Sequence, residues 1–309
     1  MTRLLDIARA LRVGNLTLSV STLWLVRCVL VVPLLELAGR TSALDGPGFA
    51  ALTLSVVLVM LGGYLINDHF DRRIDRGHKR SAVSVLGLDS DRAFSIYLWL
   101  TGAGIAFGAV AAMRSGDLGR VTIVVLAAIT LWVYAAYLSR NKLVGNLVVA
   151  GLVGLNVLVP VLFERDLTGL ARAHPVVAGA ILYTAALFAG FAVWVNLLRE
   201  VAKDVEDMEV DRRGERTSIP LRFGLLTTRR LLTGGLILLL AAVFRTIIWM
   251  DDAGRSTLAV ATGITCLVIA AWVAGLLYAA RDPAGYRSVQ NAFKLILVIG
   301  LALLILIPF

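Results

Sequence analysis

Six carboxylates arranged in two matching ladders are the part of this sequence best equipped for chemistry. The first ladder lies in "GGYLINDHFDRRIDRG", residues 62–77, where Asp68, Asp71 and Asp75 stand three and then four residues apart. The second lies in "REVAKDVEDMEVDRRGERTSIP", residues 199–220, where Asp204, Asp207 and Asp211 repeat that spacing. A polar residue precedes each ladder, Asn67 in one and Lys203 in the other. On a helix, such intervals place side chains along one face. Two like charges about 6 Å apart repel by about 2.8 kcal/mol at an effective dielectric of about 20. Each ladder therefore needs compensation, from interleaved arginines such as Arg72, Arg73 and Arg76 or from a bound cation.

Opposed across a cavity, two acidic faces can hold Mg²⁺, a hard cation usually bound through one or two carboxylates plus substrate phosphates. A diphosphate bridged by such ions becomes a good leaving group, because the metal stabilises the charge that develops as the C–O bond breaks. Basic residues near the ladders, Lys79, Lys142, Arg199 and Lys203, can neutralise further phosphate oxygens. An apolar tunnel between helices would hold a lipid tail. These parts describe an enzyme acting on polyprenyl diphosphates. The competing explanation is a solvated helix turn with i,i+4 pairs, such as Asp68 with Arg72 and Glu209 with Arg213. Identical spacing at the ends of two apolar runs argues against it.

The elements that must carry these ladders are membrane helices. The 309 residues are 59% hydrophobic, with a mean hydropathy of +0.84, well above a soluble domain. Apolar runs of spanning length, roughly 20 residues, occur near 16–38, 48–67, 92–113, 119–138, 144–163, 175–198, 231–249, 256–280 and 290–308. The expected fold is all-α: nine transmembrane helices in one bundle around a central lipid-facing cavity. Residues 1–309 form a single domain, with one acidic motif in each half, about 1–140 and 141–309. With the N-terminus cytoplasmic, 22 of the 30 Lys and Arg fall on cytoplasmic segments and seven on the opposite loops. This bias follows the positive-inside rule and puts both ladders at the cytoplasmic face and the C-terminus outside. The net charge of +9 thus reports topology rather than a nucleic-acid partner. Arginine outnumbers lysine 26 to 4, in keeping with a GC-rich prokaryotic gene and its cytoplasmic membrane.

Cys28 and Cys266 both lie in apolar runs and form no CxxC pair, and His69, His78 and His174 offer no zinc spacing. The opening "MTRLLDIARALRVGN" reads as a short amphipathic helix on the inner leaflet. The apolar run after it is long and contains Arg27, so no signal cleavage is expected.

In these residues the chain resembles the UbiA superfamily of intramembrane prenyltransferases. That family's NDxxxDxxxD-like and DxxxDxxxD-like motifs correspond here to Asn67, Asp68, Asp71 and Asp75, and to Asp204, Asp207 and Asp211. In "YAAYLSRNKLVGN", Tyr134 and Lys142 resemble the family's tyrosine and lysine near the diphosphate. Arg12 and Asn15 match an RxxN pattern near the start, and "REVAKDVEDMEVDRRGERTSIPLRFG" is similar to the branch that builds archaeal-type ether lipids. The resemblance implies Mg²⁺, a geranylgeranyl diphosphate donor and a lipid alcohol acceptor such as geranylgeranylglyceryl phosphate. Members that prenylate aromatic acids carry a proline-rich run after the first motif, where this chain has "HKRSAVSVLG". Transfer to a quinone or porphyrin precursor, a terpene cyclase and a non-enzymatic carrier are the alternatives.

Under this reading Asp68, Asp71, Asp75, Asp204, Asp207 and Asp211 are metal ligands, and Asp68, Asp71, Asp204 and Asp207 act directly on the reaction. Asn15, Asn67, Tyr134, Lys142, Arg199 and Lys203 bind substrate. One member of the second ladder, Asp207 or a neighbour, is expected to serve as base. Arg27 lies inside the first span, where a charge costs roughly 2.5–3.5 kcal/mol, so it is expected to face a cavity or a partner helix. Asn156 and Asn196 are single intramembrane amides suited to helix–helix hydrogen bonds, with a place in the site as the second reading for Asn196. Tyr64, one turn before Asn67, either lines the donor pocket or packs. The six tryptophans read as interface anchors or packing residues, and Gly62-Gly63 and Gly151-x-x-Gly154 as points of close helix contact. From about residue 231 the chain reads as scaffold and tunnel wall.

Overall fold

The computed structural model describes residues 2–71, 82–252, 254 and 256–306. Among them there is no strand, and an isolated parallel bridge joins Asn141 and Thr217. The short helix α1 (Thr2–Ala10) leads into α2 (Val13–Leu37), which winds as a π-helix over Val26–Val31. Next come α3 (Gly46–Asp71), the single turn α4 (Ala82–Val85), α5 (Ser90–Arg114), α6 (Leu118–Ala136) and α7 (Lys142–Leu162). The remainder comprises α8 (Leu167–Ala173), α9 (Pro175–Glu206), α10 (Met208–Arg213), α11 (Ile219–Asp252), α12 (Ser256–Ala279) and α13 (Pro283–Leu303). Eight of these, α2, α3, α5, α6, α7, α9, α11 and α12, are long and apolar enough to cross a membrane.

Three differences from the expected spans have physical causes. The ninth expected span falls on α13, whose first twelve residues include Arg287, Gln290 and Lys294, so among the described residues it does not reach the apolar length of the other eight. Helix α9 continues eight residues past the expected end at 198, because five of the eight residues in "REVAKDVE" (Arg, two Glu, Ala and Lys) are good helix formers. Helix α11 begins at Ile219 rather than 231, and Gly224, at φ 79° and ψ 165°, breaks its first turns from the rest. Only glycine reaches that backbone region without strain.

The chain forms two compact units, one of Met1–Ser139, Gly151–Gly190 and Leu301–Phe309, the other of Arg140–Ala150 and Phe191–Gly300. In the first, Leu52, Val59, Ala111, Ala112, Val124 and Ala128 join α3 to α5 and α6. Lipid tails are as apolar as leucine, so contact density rather than the hydrophobic effect holds such helices together. The small residues reflect this: a Cβ on Gly62 would come within 2.6 Å of the Thr101 hydroxyl, and one on Gly104 within 2.7 Å of Val59. Gly151 does not fit the expectation, because a Cβ there would meet nothing within 4 Å. A second cluster, Leu65, Ile66, Ala82, Val83, Ala93 and Tyr97, fixes the end of α3 that bears the first ladder.

At the other end of this unit lies a polar network. Arg27 donates to the Leu44 carbonyl at 2.5 Å and to the Ser42 hydroxyl at 3.3 Å, with its guanidinium 4.5 Å from the Phe49 ring centre. The Ser42 hydroxyl and the Ala43 N–H donate to the buried Glu164 carboxylate at 2.5 and 2.7 Å. Arg120 donates to the Glu164 carbonyl at 2.7 Å. Arg27 therefore has the inter-element role expected of it. Asn156 does too, accepting from the Ser19 hydroxyl at 2.8 Å and donating to the Ser19 carbonyl at 3.2 Å.

In the second unit Leu232, Leu236, Val289, Phe293 and Ile296 are buried. Trp194 on α9 donates its indole N–H to the Gly235 carbonyl at 3.0 Å, a packing role.

Candidate active site

The first ladder stands at the end of α3. Asp68 is buried, and its carboxylate accepts from the Ala82 N–H at 2.7 Å, which ties α4 back onto α3. Arg12 approaches the other oxygen of Asp68 at 3.7 Å and lies 4.8 Å from the Tyr64 ring centre. Arg12 precedes α2 in a left-handed conformation, φ 53° and ψ 40°, which costs an ordinary residue roughly 1–2 kcal/mol. Asn67 donates to Asp71 at 3.0 Å, and its own carbonyl oxygen is buried with no hydrogen-bond partner among the described residues. Asn15 sits in the first turn of α2, and Tyr134 is half-buried on α6. Asp75 lies outside the described residues, as do Arg72, Arg73, Arg76 and Lys79.

The second ladder is not one straight helical face. Helix α9 ends at Glu206, Asp207 adopts φ −87° and ψ 3°, and α10 starts at Met208. The i→i−4 pattern survives the junction, with Asp207 N–H to Lys203 and Asp211 N–H to Asp207 both at 2.9 Å. Asp204, Asp207 and Asp211 are all buried. Lys142, at the start of α7, places its ammonium 3.1 Å from Asp204 and 3.0 Å from Asp211. Asn146, one turn on, donates to Asp204 at 2.8 Å, and Arg216 approaches Asp211 at 3.7 Å. The backbone sets this up: Lys142 N–H donates to the Thr217 carbonyl at 2.8 Å and Thr217 N–H to the Arg140 carbonyl at 2.9 Å. The turn after α10 is thereby clipped to the strand-like entry of α7.

Arg199 donates to Asn196 at 2.9 Å and pairs with the buried Glu200 at 3.2 Å, while Lys203 pairs with Glu200 at 3.3 Å. Glu206 pairs with Arg287 at 2.8 Å and also accepts from Gln290. Burial of so many carboxylates is tolerable only because cations and amides surround them. Sequence reasoning missed Asn146, Glu200 and Arg216. The i,i+4 spacing from Lys142 and from Asp204 was the available signal for Asn146 and Glu200, whereas nothing local marks Arg216.

Among the described residues no three acids or histidines gather closely enough to form a ready-made metal site. The donor set nonetheless suits a hard cation, being carboxylate oxygens with the unpartnered Asn67 carbonyl beside Asp71.

Residues 25–298 match the UbiA prenyltransferase family. The chain belongs to that family and is an integral membrane protein. It is similar to the digeranylgeranylglyceryl phosphate synthase of Methanobrevibacter smithii, 28% identical over 63% of this chain and 64% of that one. The protein of the same name from Thermococcus gammatolerans is 28% identical over 58% of each chain. That of Haloquadratum walsbyi is 30% identical over 67% of this chain and 68% of the other. The chain thus matches less than two thirds of the length of the first two relatives. Among solved structures, one of a digeranylgeranylglyceryl phosphate synthase in membranes aligns at a TM-score of 0.64 and 20% identity, over 99% of this chain and 98% of that one. A UbiA homologue from Archaeoglobus fulgidus bound to DMAPP and Mg²⁺ aligns at 0.61 and 14% identity, over 98% and 100%. At these identities the solved structures establish the fold.

Proposed function

We propose that this chain transfers a polyprenyl group, geranylgeranyl by its likeness to the ether-lipid relatives, from its diphosphate to a lipid alcohol such as geranylgeranylglyceryl phosphate. The observation that carries this reading is the burial of carboxylates at or just beyond the ends of two membrane-length helices, Asp68 on α3 and Asp204 on α9, with Asp207 and Asp211 in the turn and short helix that follow α9. In a family of prenyltransferases, acids buried at these helix ends and held by Lys142, Asn146 and the Ala82 N–H support a role in binding a metal diphosphate. The nine-span single domain, the prokaryotic cytoplasmic membrane and the cytoplasmic placement of both motifs belong to the same proposal.

Asp68, Asp71, Asp75, Asp204, Asp207 and Asp211 would hold Mg²⁺, which when bound neutralises charge on the departing diphosphate. Asn67 steadies Asp71 through its amide and offers its carbonyl as a further oxygen ligand. Lys142 holds Asp204 and Asp211 in place. Lys203 and Arg199 add positive charge one and two turns before Asp207. Tyr134 and Asn15 line the substrate path. The membrane-embedded setting keeps water from the allylic cation left when the C1–O bond breaks and diphosphate departs; the acceptor hydroxyl oxygen bonds to C1 and gives its proton to a carboxylate of the second ladder.

Mass spectrometry of products from membranes given labelled geranylgeranyl diphosphate and a panel of acceptors tests this. A dialkyl glyceryl phosphate ether is the expected product. A hydrocarbon formed from the donor alone, or a prenylated ring, would replace the reading with a cyclase or an aromatic prenyltransferase.

A further inference from the structure

Helix α11 is longer than a membrane crossing needs. Its 34 residues would reach about 51 Å if straight, against a hydrocarbon core of about 30 Å. Residues 231–244, between Arg230 and Arg245, carry no charge. They cover about 21 Å, and the long side chains of the flanking arginines extend that stretch to the two headgroup levels. Residues 219–230 therefore lie at one headgroup level or beyond it.

This outer part has a surface unsuited to water. Phe223, Leu225 and Leu226 are exposed, Leu226 at 62%. Gly224 bends the backbone between them, and the fully buried Thr228 holds the bend by donating its hydroxyl to the Gly224 carbonyl at 2.9 Å. The bend takes the first turns off the axis of the membrane-crossing part.

The charges among these side chains are of one sign. Residues 219–250 contain Arg222, Arg229, Arg230 and Arg245 and no acid. Arg222 is exposed, with its guanidinium 5.4 Å from the Phe223 ring centre. Arg229 donates to the Tyr278 carbonyl on α12 and lies 5.5 Å from the centre of that ring. Arg230 is exposed. Among the described residues no carboxylate pairs with Arg222, Arg229 or Arg230. The acids around this end of α11 are otherwise placed: Asp211 is buried against Lys142, and Asp282 accepts from the Gly285 N–H at 2.8 Å. Glu215 is exposed in the turn before the helix.

Arginines alternating with exposed apolar side chains at headgroup depth complement anionic headgroups over acyl chains. We infer that residues 222–230 form a binding surface for anionic phospholipid. The guanidiniums of Arg222 and Arg230 meet headgroup phosphates, and Phe223, Leu225 and Leu226 sit among the upper acyl carbons. Arg229, engaged by Tyr278, ties this surface to α12. The assignment goes beyond the proposed transfer reaction and does not depend on it.

The test is lipid binding to the purified full-length protein in detergent, read by native mass spectrometry. The probes are phosphatidylglycerol and phosphatidylcholine with identical chains. The parent is expected to bind phosphatidylglycerol at least about fivefold more tightly than phosphatidylcholine. Arg222→Gln and Arg230→Gln should each lower phosphatidylglycerol affinity about fivefold, the scale of one basic side chain near an anionic surface. Phosphatidylcholine affinity should stay within about twofold of the parent, which also shows that the variants fold. Arg245→Gln, at the far end of the same helix, should leave both affinities unchanged. Equal affinity of the parent for the two lipids would overturn the assignment. So would unchanged phosphatidylglycerol affinity in both variants, or a loss in Arg245→Gln as large as theirs.

Discussion

The ammonium of Lys142 stands 3.0 Å from the carboxylate of Asp211, which is fully closed to solvent, and the same nitrogen reaches Asp204 at 3.1 Å. One lysine at the start of α7 therefore clamps two rungs of the second ladder. The repulsion between acids inferred from their spacing is met here by a residue more than 60 positions away in sequence.

Removing that clamp leaves two buried carboxylates with too little countercharge. Lys142→Met is expected to destabilise the protein by about 3–5 kcal/mol, the cost of breaking a buried pair from one side. It should also abolish transfer. Thermal unfolding of the purified protein in detergent checks the first part, and a shift no larger than that of a surface lysine variant would refute it. Lys142→Arg should recover part of the stability.

Arg12 gives the opposite balance. Its contact with Asp68 is long and its side chain is 42% exposed, so the pair contributes about 0–1 kcal/mol. Its left-handed backbone costs a comparable amount. Arg12→Gly should thus leave stability within about 1 kcal/mol of the parent while lowering the rate of transfer, if Arg12 serves the site through Asp68 and Tyr64. Paired unfolding and turnover measurements separate the two effects, and unchanged turnover would remove Arg12 from the site.

Glu164 is expected to matter for folding and not for chemistry. Its carboxylate accepts from Ser42 and from the Ala43 N–H. Glu164→Leu strands both donors, at about 2–4 kcal/mol. Thermal unfolding should show the loss, while the Michaelis constants of the surviving folded protein stay near the parental values.

What could be read in advance divides along physical lines. Spans were legible because each needs about 20 apolar residues in a row, a local property. The ladders were legible because helical intervals are short-range, and Arg27 stood out because a charge in an apolar run is costly. Glu164 gave no such sign, since its partners Ser42 and Ala43 lie over 120 residues away and a lone acid between spans looks like any solvated loop residue. Gly151 looked like a contact glycine by spacing alone, but which face of a helix meets a neighbour is decided by packing. The extension of the α9 polar face through Glu200 to Asn196 was present in the spacing, yet the burial of both side chains depended on packing.

The joint action of the two acidic motifs on one diphosphate with Mg²⁺ is tested most directly by transfer of labelled geranylgeranyl from its diphosphate to geranylgeranylglyceryl phosphate. Purified parent, Asp68→Ala and Asp207→Ala would be compared with Mg²⁺ present, chelated by EDTA and restored. Each variant is expected to lose transfer by at least about a hundredfold, the scale of removing a charge-stabilising group, and EDTA to silence the parent until Mg²⁺ returns. Metal-independent transfer, or near-parental rates in both variants, would contradict it.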